Sequence, residues 1–371
     1  MHASPPPLKL TASQLAALTR RAGVELGPLS PLHQFPESAS HEAPVQLPDF
    51  GAADAALWTP VASTLAAPGL ALTVSAGTSD SVIFLHAYGS SATGSHLLGC
   101  TPVSGSTYEI VPRLEHRAWL QVLSKGLSLE ETEDTVESAT ALSHEALLAC
   151  CGLVDAVKEA RLEALIAREA YPEATAPARD IMIAAKSGLL TQDARWFTGL
   201  VRRLLPRAPA AVTLEGTSAG LRELEERGWV ARMPEDDTWA FANEMSAAAL
   251  EWSAAAVSGH FSLRVAGARE VHELHLGLIR TLSGLWTLEC PAGQGGVKMG
   301  RSSGSALMGL LDKAVQTVMA PWQTAAPKHT ASSPAPPAAD GPAQFCVACG
   351  NRLVADARFC THCGAPVPGG R

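Results

Sequence analysis

The feature that most constrains this chain is a six-residue unit, Phe-Cys-x-x-Cys-Gly, that occurs at residues 345–350 and again at residues 359–364. Two residues between cysteines allow both sulfurs of a tight turn to point at one metal ion. The glycine after the second cysteine permits the positive φ with which the chain turns away. The sequence therefore predicts a single Zn²⁺ bound by four thiolates, those of Cys346, Cys349, Cys360 and Cys363.

Four protein ligands leave this predicted site no free coordination position. Such closure is typical of structural zinc, so we expect the metal to fold residues 344–371 and to take no part in catalysis. A metal-free pair of redox dithiols is the alternative interpretation of the cysteines. His362 is interpreted as a solvent-facing spacer, because four thiolates already complete the coordination. The tail resembles the short double Cys-x-x-Cys-Gly zinc-ribbon family, and that resemblance also implies a structural metal.

Upstream of the ribbon, the sequence indicates a linker and a duplicated body. Residues 321–343 are rich in Ala, Pro, Ser and Thr, a composition typical of a mobile tether. A shift of about 190 residues superposes Leu72 on Leu263 and Cys100 on Cys290. The predicted fold class is α+β, with a pseudo-duplicated αβ body of antiparallel meanders and helices followed by the zinc ribbon. The predicted boundaries are a first half at 1–125, a helical connector at 126–180, a second half at 181–320, the linker and the ribbon.

Each half is predicted to be a meander of short strands closed by a helix. The first half has candidate strands at 70–74, 82–88 and 96–100 and a helix at 113–123. The second has candidate strands at 261–265, 271–279 and 285–290 and a helix at 305–318.

The region between the meanders is predicted to be largely helical. Ser128 begins a Ser-x-x-Glu sequence that has the form of a capping box, which favours a helix running to Arg168. Further on, helices at 192–205 and 218–226 and a hairpin at 229–241 give the outline of a winged helix, followed by a helix at 242–257.

Two sequence patterns resemble catalytic motifs. Residues 216–220 match the Gly-x-Ser-x-Gly pattern in which Ser218 would be a hydrolase nucleophile. The same pattern recurs at 300–304, so we expect a helix N-terminus capped by Thr217 or Ser218.

The other pattern is His-Glu-Leu-His at residues 272–275, one residue short of a metalloprotease motif. Residues three apart on a strand face opposite sides, so we expect His272 and His275 to diverge on a solvated sheet face. No catalytic residue is therefore predicted, and the chain is not expected to be an enzyme.

Charge and hydropathy set further expectations. The net charge is −8, and the candidate recognition helix at 218–228 carries three carboxylates against two guanidiniums, so nucleic acid is not expected as a partner. Neither an export signal nor an apolar run of about 20 residues is apparent, which favours a cytoplasmic protein without a membrane span. Cys100 and Cys290 are interpreted as small core residues.

The order of elements over residues 10–320, from the Leu-Thr-Ala-Ser-Gln-Leu start at 10–15 through the sheet segments, resembles that of EspG-type chaperones of ESX (type VII) secretion. The resemblance implies a pseudo-twofold αβ body without catalytic residues that binds a helical secreted protein. We therefore expect a non-catalytic zinc-binding adaptor or chaperone-like protein with a protein partner. The alternative is a winged-helix and zinc-ribbon regulator that contacts nucleic acid.

Overall fold

A computed structural model describes residues 7–34, 52–78, 81–104, 106–132, 138–205, 211–233, 235–255, 257–290 and 296–324. The chain divides into two compact units, Met1–Ala326 and Pro327–Arg371, and every described residue belongs to the first. The predicted ribbon with its four cysteines, and the predicted linker beyond residue 324, lie outside the described residues.

The described part contains thirteen strands and nine α-helices. The strands are β1 Leu8–Thr11, β2 Leu70–Gly77, β3 Val82–Gly89, β4 Leu97–Ser104, β5 Thr107–Leu114, β6 Ser138–Ser143, β7 Thr175–Pro177, β8 Val230–Met233, β9 Thr238–Phe241, β10 Val257–Ala266, β11 Val271–Arg280, β12 Leu285–Glu289 and β13 Gly296–Ser302. The helices are α1 Ala12–Ala22, α2 Ala52–Ala66, α3 His116–Gly126, α4 His144–Ala167, α5 Ala178–Thr191, α6 Phe197–Leu204, α7 Leu214–Glu226, α8 Asn243–Ser253 and α9 Gly304–Thr324.

Ten of these strands form one antiparallel sheet in the order β1-β5-β4-β3-β2-β10-β11-β12-β13-β6. The two halves of the sheet have the same arrangement. From the centre outward, each half consists of a four-stranded meander, β2 to β5 or β10 to β13, and then an edge strand, β1 or β6, that leads directly into a helix. Helix α3 follows the first meander, and α9 follows the second. At the centre, β2 pairs with β10 and places Leu72 opposite Leu263, the two residues that the sequence comparison superposes. The predicted α+β fold with a pseudo-duplicated body is confirmed.

Side-chain alternation along the strands divides the core between the two faces of the sheet. Leu97 and Leu278 join the core under α3 and α9, which pack against each other. Their neighbours along the chain point the other way: Leu98 contacts the core under α1 and α2, and Ile279 contacts the core under α4. The sheet is therefore covered on both faces, as expected of strands that alternate two apolar surfaces.

The second half carries an additional unit inserted before β10. Helices α5 and α7 pack on α4, and a small sheet in the order β7-β9-β8 lies beside them. The hairpin and the helix before it were predicted, whereas β7 and α5 were not.

The predicted helix at 192–205 is confined to α6, whose N-terminus is capped by a carboxylate from α4. The buried Asp155 accepts hydrogen bonds from the N–H groups of Phe197 and Thr198 at 2.7 and 2.9 Å. Burial raises the pKa of Asp155, and these hydrogen bonds partly oppose that rise.

The predicted helix from Ser128 to Arg168 is wrong in its first part. Ser128 has a φ of 47° and its side chain makes no capping hydrogen bond. Strand β6 follows instead and pairs with β13, and α4 begins only after Ser143, whose hydroxyl accepts from the N–H of Ala146 at 3.0 Å. The pairing partner of β6 lies about 160 residues away, so tertiary contacts override the local helical signal.

Other element boundaries also differ from the predicted ones. Residues 113 and 114 end strand β5 rather than beginning a helix, and the helix predicted at 242–257 stops at Ser253 so that β10 can begin at Val257. Helix α9 continues through Pro321 to Thr324, into the segment predicted as linker.

Candidate functional site

An open groove of about 990 Å³ lies between the second half of α4, helix α8 and the small sheet. We call it the α4–α8 groove. Its apolar lining consists chiefly of Val154, Leu162, Leu165, Met233, Phe241 and Leu250.

The groove exists because α4 is longer than the core that it serves. With 24 residues the helix is about 36 Å long. Residues from Ala146 to Asp155 are buried, whereas most of the residues beyond Val157 are exposed. The residues at 154, 157, 158, 161, 162 and 165 recur at intervals of three and one, which places them on one helix face. The apolar stripe of the buried half thus continues past the end of the core.

Large apolar side chains on the groove wall are open to solvent. Leu165 is 58% exposed, Leu250 is 57% exposed and Tyr171 is 65% exposed. Ile166, next to Leu165, is exposed at 83%. Exposed apolar residues that are contiguous, rather than scattered singly, mark interaction surfaces on soluble proteins.

Lys158 joins the walls of the groove. Its ammonium donates hydrogen bonds to the carbonyl oxygens of Arg195 and Ser253 at 2.6 and 2.8 Å and lies 5.4 Å from the centre of the Trp196 ring. Desolvation by burial lowers the pKa of Lys158, and nearby Asp155 and Asp193 oppose this. The charge is therefore used to hold α4 against the end of α8.

The Ser218 prediction is partly wrong. Helix α7 begins at Leu214, with the Thr213 hydroxyl accepting from the N–H of Gly216 at 3.1 Å, so the cap lies one turn before Thr217 and Ser218. The Ser218 hydroxyl, on a half-buried residue, donates to the carbonyl oxygen of Leu214 at 2.8 Å, a bond within the first turn of the helix.

His272 and His275 diverge, as predicted from their spacing on β11. His272 is exposed beside Glu270, but the predicted solvated face is wrong for His275, which is 8% exposed. The Nε2 atom of His275 lies 2.7 Å from the Leu204 carbonyl oxygen, and its Nδ1 atom lies 3.2 Å from Nε2 of His260. Burial, together with the neighbouring imidazoles, lowers the pKa of His260 to about 4. Sequence reasoning missed His260, because the predicted strand began at residue 261 whereas β10 begins at Val257.

The cysteines of the body behave as core residues. Burial raises the pKa of Cys100 and of Cys150 to about 12, and burial with the charge of Glu289 raises that of Cys290 to about 11. Within the described ranges no group of three or more His, Cys, Asp or Glu side chains could hold a metal ion.

The winged-helix-like unit presents acidic surfaces. On α7, Glu223 accepts from the N–H of Ser143 at 3.1 Å and pairs with Arg227. In the hairpin, exposed Asp237 pairs with Arg232 and follows two further acidic residues at 235 and 236.

No helix among the described residues is long and apolar enough to span a membrane.

Comparison with known proteins identifies the tail. A family model described as a zinc-ribbon domain matches residues 345–367, which confirms the predicted ribbon and supports zinc binding. No curated protein matches the chain. Among solved structures, the Mycobacterium tuberculosis type VII secretion system chaperone EspG5, in complex with a PE25-PPE41 dimer, is a weak match. Its TM-score is 0.40 at 11% identity, and the alignment covers 84% of this chain and 96% of that chain.

Proposed function

We propose that this chain is a non-catalytic, zinc-binding adaptor or chaperone-like protein that binds another protein in the α4–α8 groove. The observation that carries the proposal is the set of exposed apolar side chains, Leu162, Leu165, Tyr171 and Leu250, on the walls of a single open groove.

The shape of the α4–α8 groove suits an amphipathic helix as its binding partner. Helices α4 and α8 present ridges of side chains at helical spacing, and such ridges pack against a third helix at an axis separation of about 8–10 Å. The volume of about 990 Å³ equals the upper end of ordinary small-ligand pockets, yet this site is an open groove rather than a closed cavity. Recognition of a helix by its apolar face in a groove is a recurring mode of protein binding.

Burying the exposed leucines would contribute to the free energy of binding. Fully burying a leucine side chain contributes about 1.5–3 kcal/mol. Since Leu165 and Leu250 are each a little more than half exposed, covering what remains of both contributes roughly 2–3 kcal/mol in total. That gain corresponds to a factor of about 30–150 in Kd.

For the tail, we propose that Cys346, Cys349, Cys360 and Cys363 bind one structural zinc ion. The support is the donor set itself, two Cys-x-x-Cys pairs within residues that match a zinc-ribbon model. Zinc-bound thiolates and the unpaired cysteines of the body suit a reducing compartment, so we place the protein in the cytoplasm as part of this proposal.

The test of groove binding compares Leu165→Asp and Leu250→Asp with Leu310→Asp. Leu310 is the matched control because it is also 58% exposed but lies on α9 and does not line the groove. Each full-length variant is immobilised, and proteins retained from an extract of the source cells are identified and cross-linked to the bait. We expect one partner to cross-link to α4 or α8 through a helical segment, to be lost with both groove variants and to be kept by the control. Retention of the same proteins by all variants would refute the proposal.

The alternative function is a regulator that contacts nucleic acid. The winged-helix outline supports it, whereas the acidic side chains of that unit argue against it. Glu215, Glu225 and Glu226 on α7 and the acidic hairpin would face phosphates with like charge. Salt-dependent retention of the full chain on DNA would favour this alternative over groove binding.

A further inference from the structure

Two cationic side chains, Lys158 and Arg161, line the α4–α8 groove, and Arg161 is the one that makes no bond within the described part of the fold. It lies on α4 between Lys158 and Leu165 and is half-buried. Within the described residues its guanidinium makes neither a hydrogen bond nor an ion pair.

The sequence of α4 explains why Arg161 is unpaired. A carboxylate three or four residues away along α4 could pair with the guanidinium of Arg161. Those positions instead hold Val157, Lys158, Ala164 and Leu165. One of them, Lys158, is itself a cation, whereas Arg227, at the C-terminal cap of α7, pairs with Glu223 at the equivalent spacing of four. Glu173 also lines the groove, and among the described residues it makes no ion pair with Arg161.

A half-buried guanidinium on an apolar wall favours ligands that carry a carboxylate. Arg stays charged at any physiological pH, is more weakly hydrated than an ammonium group, and offers a planar fork that matches a carboxylate with two parallel hydrogen bonds. A partner that covered Arg161 with apolar atoms alone would leave its charge buried and unpaired, which is costly.

Building on the proposed function, we infer that the partner helix carries an Asp or Glu beside its apolar anchors and that Arg161 binds this carboxylate. Arg161 is then the residue that determines the specificity of the groove, while Leu162, Leu165 and Leu250 supply the apolar contact. Lys158 does not share this role, because its donors are already directed at the carbonyl groups of Arg195 and Ser253.

The probes are three model amphipathic helices of about 20 residues that share one leucine stripe and differ at a single flanking position, which is Glu, Gln or Lys. Their affinities for the full chain are measured by calorimetry at low salt, with wild type, Arg161→Gln, Arg161→Glu and the control Arg179→Gln. Arg179 is exposed on α5 and does not line the groove. Thermal melting checks that each variant is folded.

We expect the Glu peptide to bind wild type about tenfold more tightly than the Lys peptide, as one charge-assisted pair supports. Arg161→Gln should remove the preference, Arg161→Glu should reverse it, and Arg179→Gln should keep it.

Equal binding of the three peptides to wild type would overturn the inference while leaving groove binding intact. Failure of every peptide to bind would overturn the proposed function and the inference with it. Sodium dodecanoate serves as a separate probe. If it binds in an Arg161-dependent manner and the peptides do not, the groove is a site for acyl carboxylates and the inference is wrong.

Discussion

The close crossing of α4 and α7 can be tested at Gly220. A methyl group added there would lie 2.3 Å from the carbonyl oxygen of Glu145, 2.5 Å from its carbonyl carbon and 2.8 Å from the nitrogen of Ala146. All three atoms are backbone, so the conflict cannot be relieved by turning a side chain. The first turn of α4 and helix α7 must separate instead.

We therefore expect Gly220→Ala to destabilise the protein by about 2 kcal/mol. Overpacking of this kind costs about 1–3 kcal/mol, and three backbone contacts place it near the upper value. The better helix propensity of alanine offsets about 1 kcal/mol.

Gly309, in α9, provides the matched control because an added methyl group there meets no atom within 4 Å. Gly309→Ala should stabilise the protein by about 0.5–1 kcal/mol through the same gain in propensity.

The assay is equilibrium urea unfolding of the full chain, followed by tryptophan fluorescence and by circular dichroism. The midpoint should move to lower urea for Gly220→Ala and to higher urea for Gly309→Ala, with unchanged slopes. If both variants were stabilised alike, the close approach of α4 and α7 would be refuted.

Two further predictions concern the metal and the pH dependence. Elemental analysis should find one zinc per full-length chain and none after replacement of all four ribbon cysteines by serine. Thermal melting of the body should be unchanged in that variant; undiminished zinc would contradict the assignment. Because burial depresses the pKa of His260 to about 4, below the ordinary histidine value of about 6.5, the unfolded chain binds its proton first. Stability should therefore fall as pH drops from about 6.5 to about 4, and His260→Gln should flatten that fall; identical profiles would contradict the burial of a neutral imidazole.

Much of the sheet could be predicted from the sequence because its central strands carry their own signals. The hairpins of β2 with β3 and of β10 with β11 alternate apolar residues between turn residues, and both lie close to where they were predicted. Strands β1 and β6 could not be found in this way. Each is short and pairs with a strand far along the chain, β5 or β13, so only the assembled sheet defines it.

The groove was also beyond sequence reasoning. Leu162 and Leu165 continue the same helical stripe as the buried Val154, and nothing in the spacing indicates where the covering helices stop. The proposed metal ligands are the opposite case, since two short local motifs contain all four cysteines.

The two repeats of the body differ in the segment between the helix that follows the edge strand, α1 or α4, and the central strand, β2 or β10. In the first repeat the segment from 23 to 51 connects α1 to α2, whereas in the second the segment from 168 to 242 connects α4 to α8 and contains the small sheet. Among the described residues, this second connection builds a wall opposite the extended helix α4, so the groove belongs to the second repeat. Because the groove lies in one of the two repeats, we expect the proposed complex to contain one partner helix per chain.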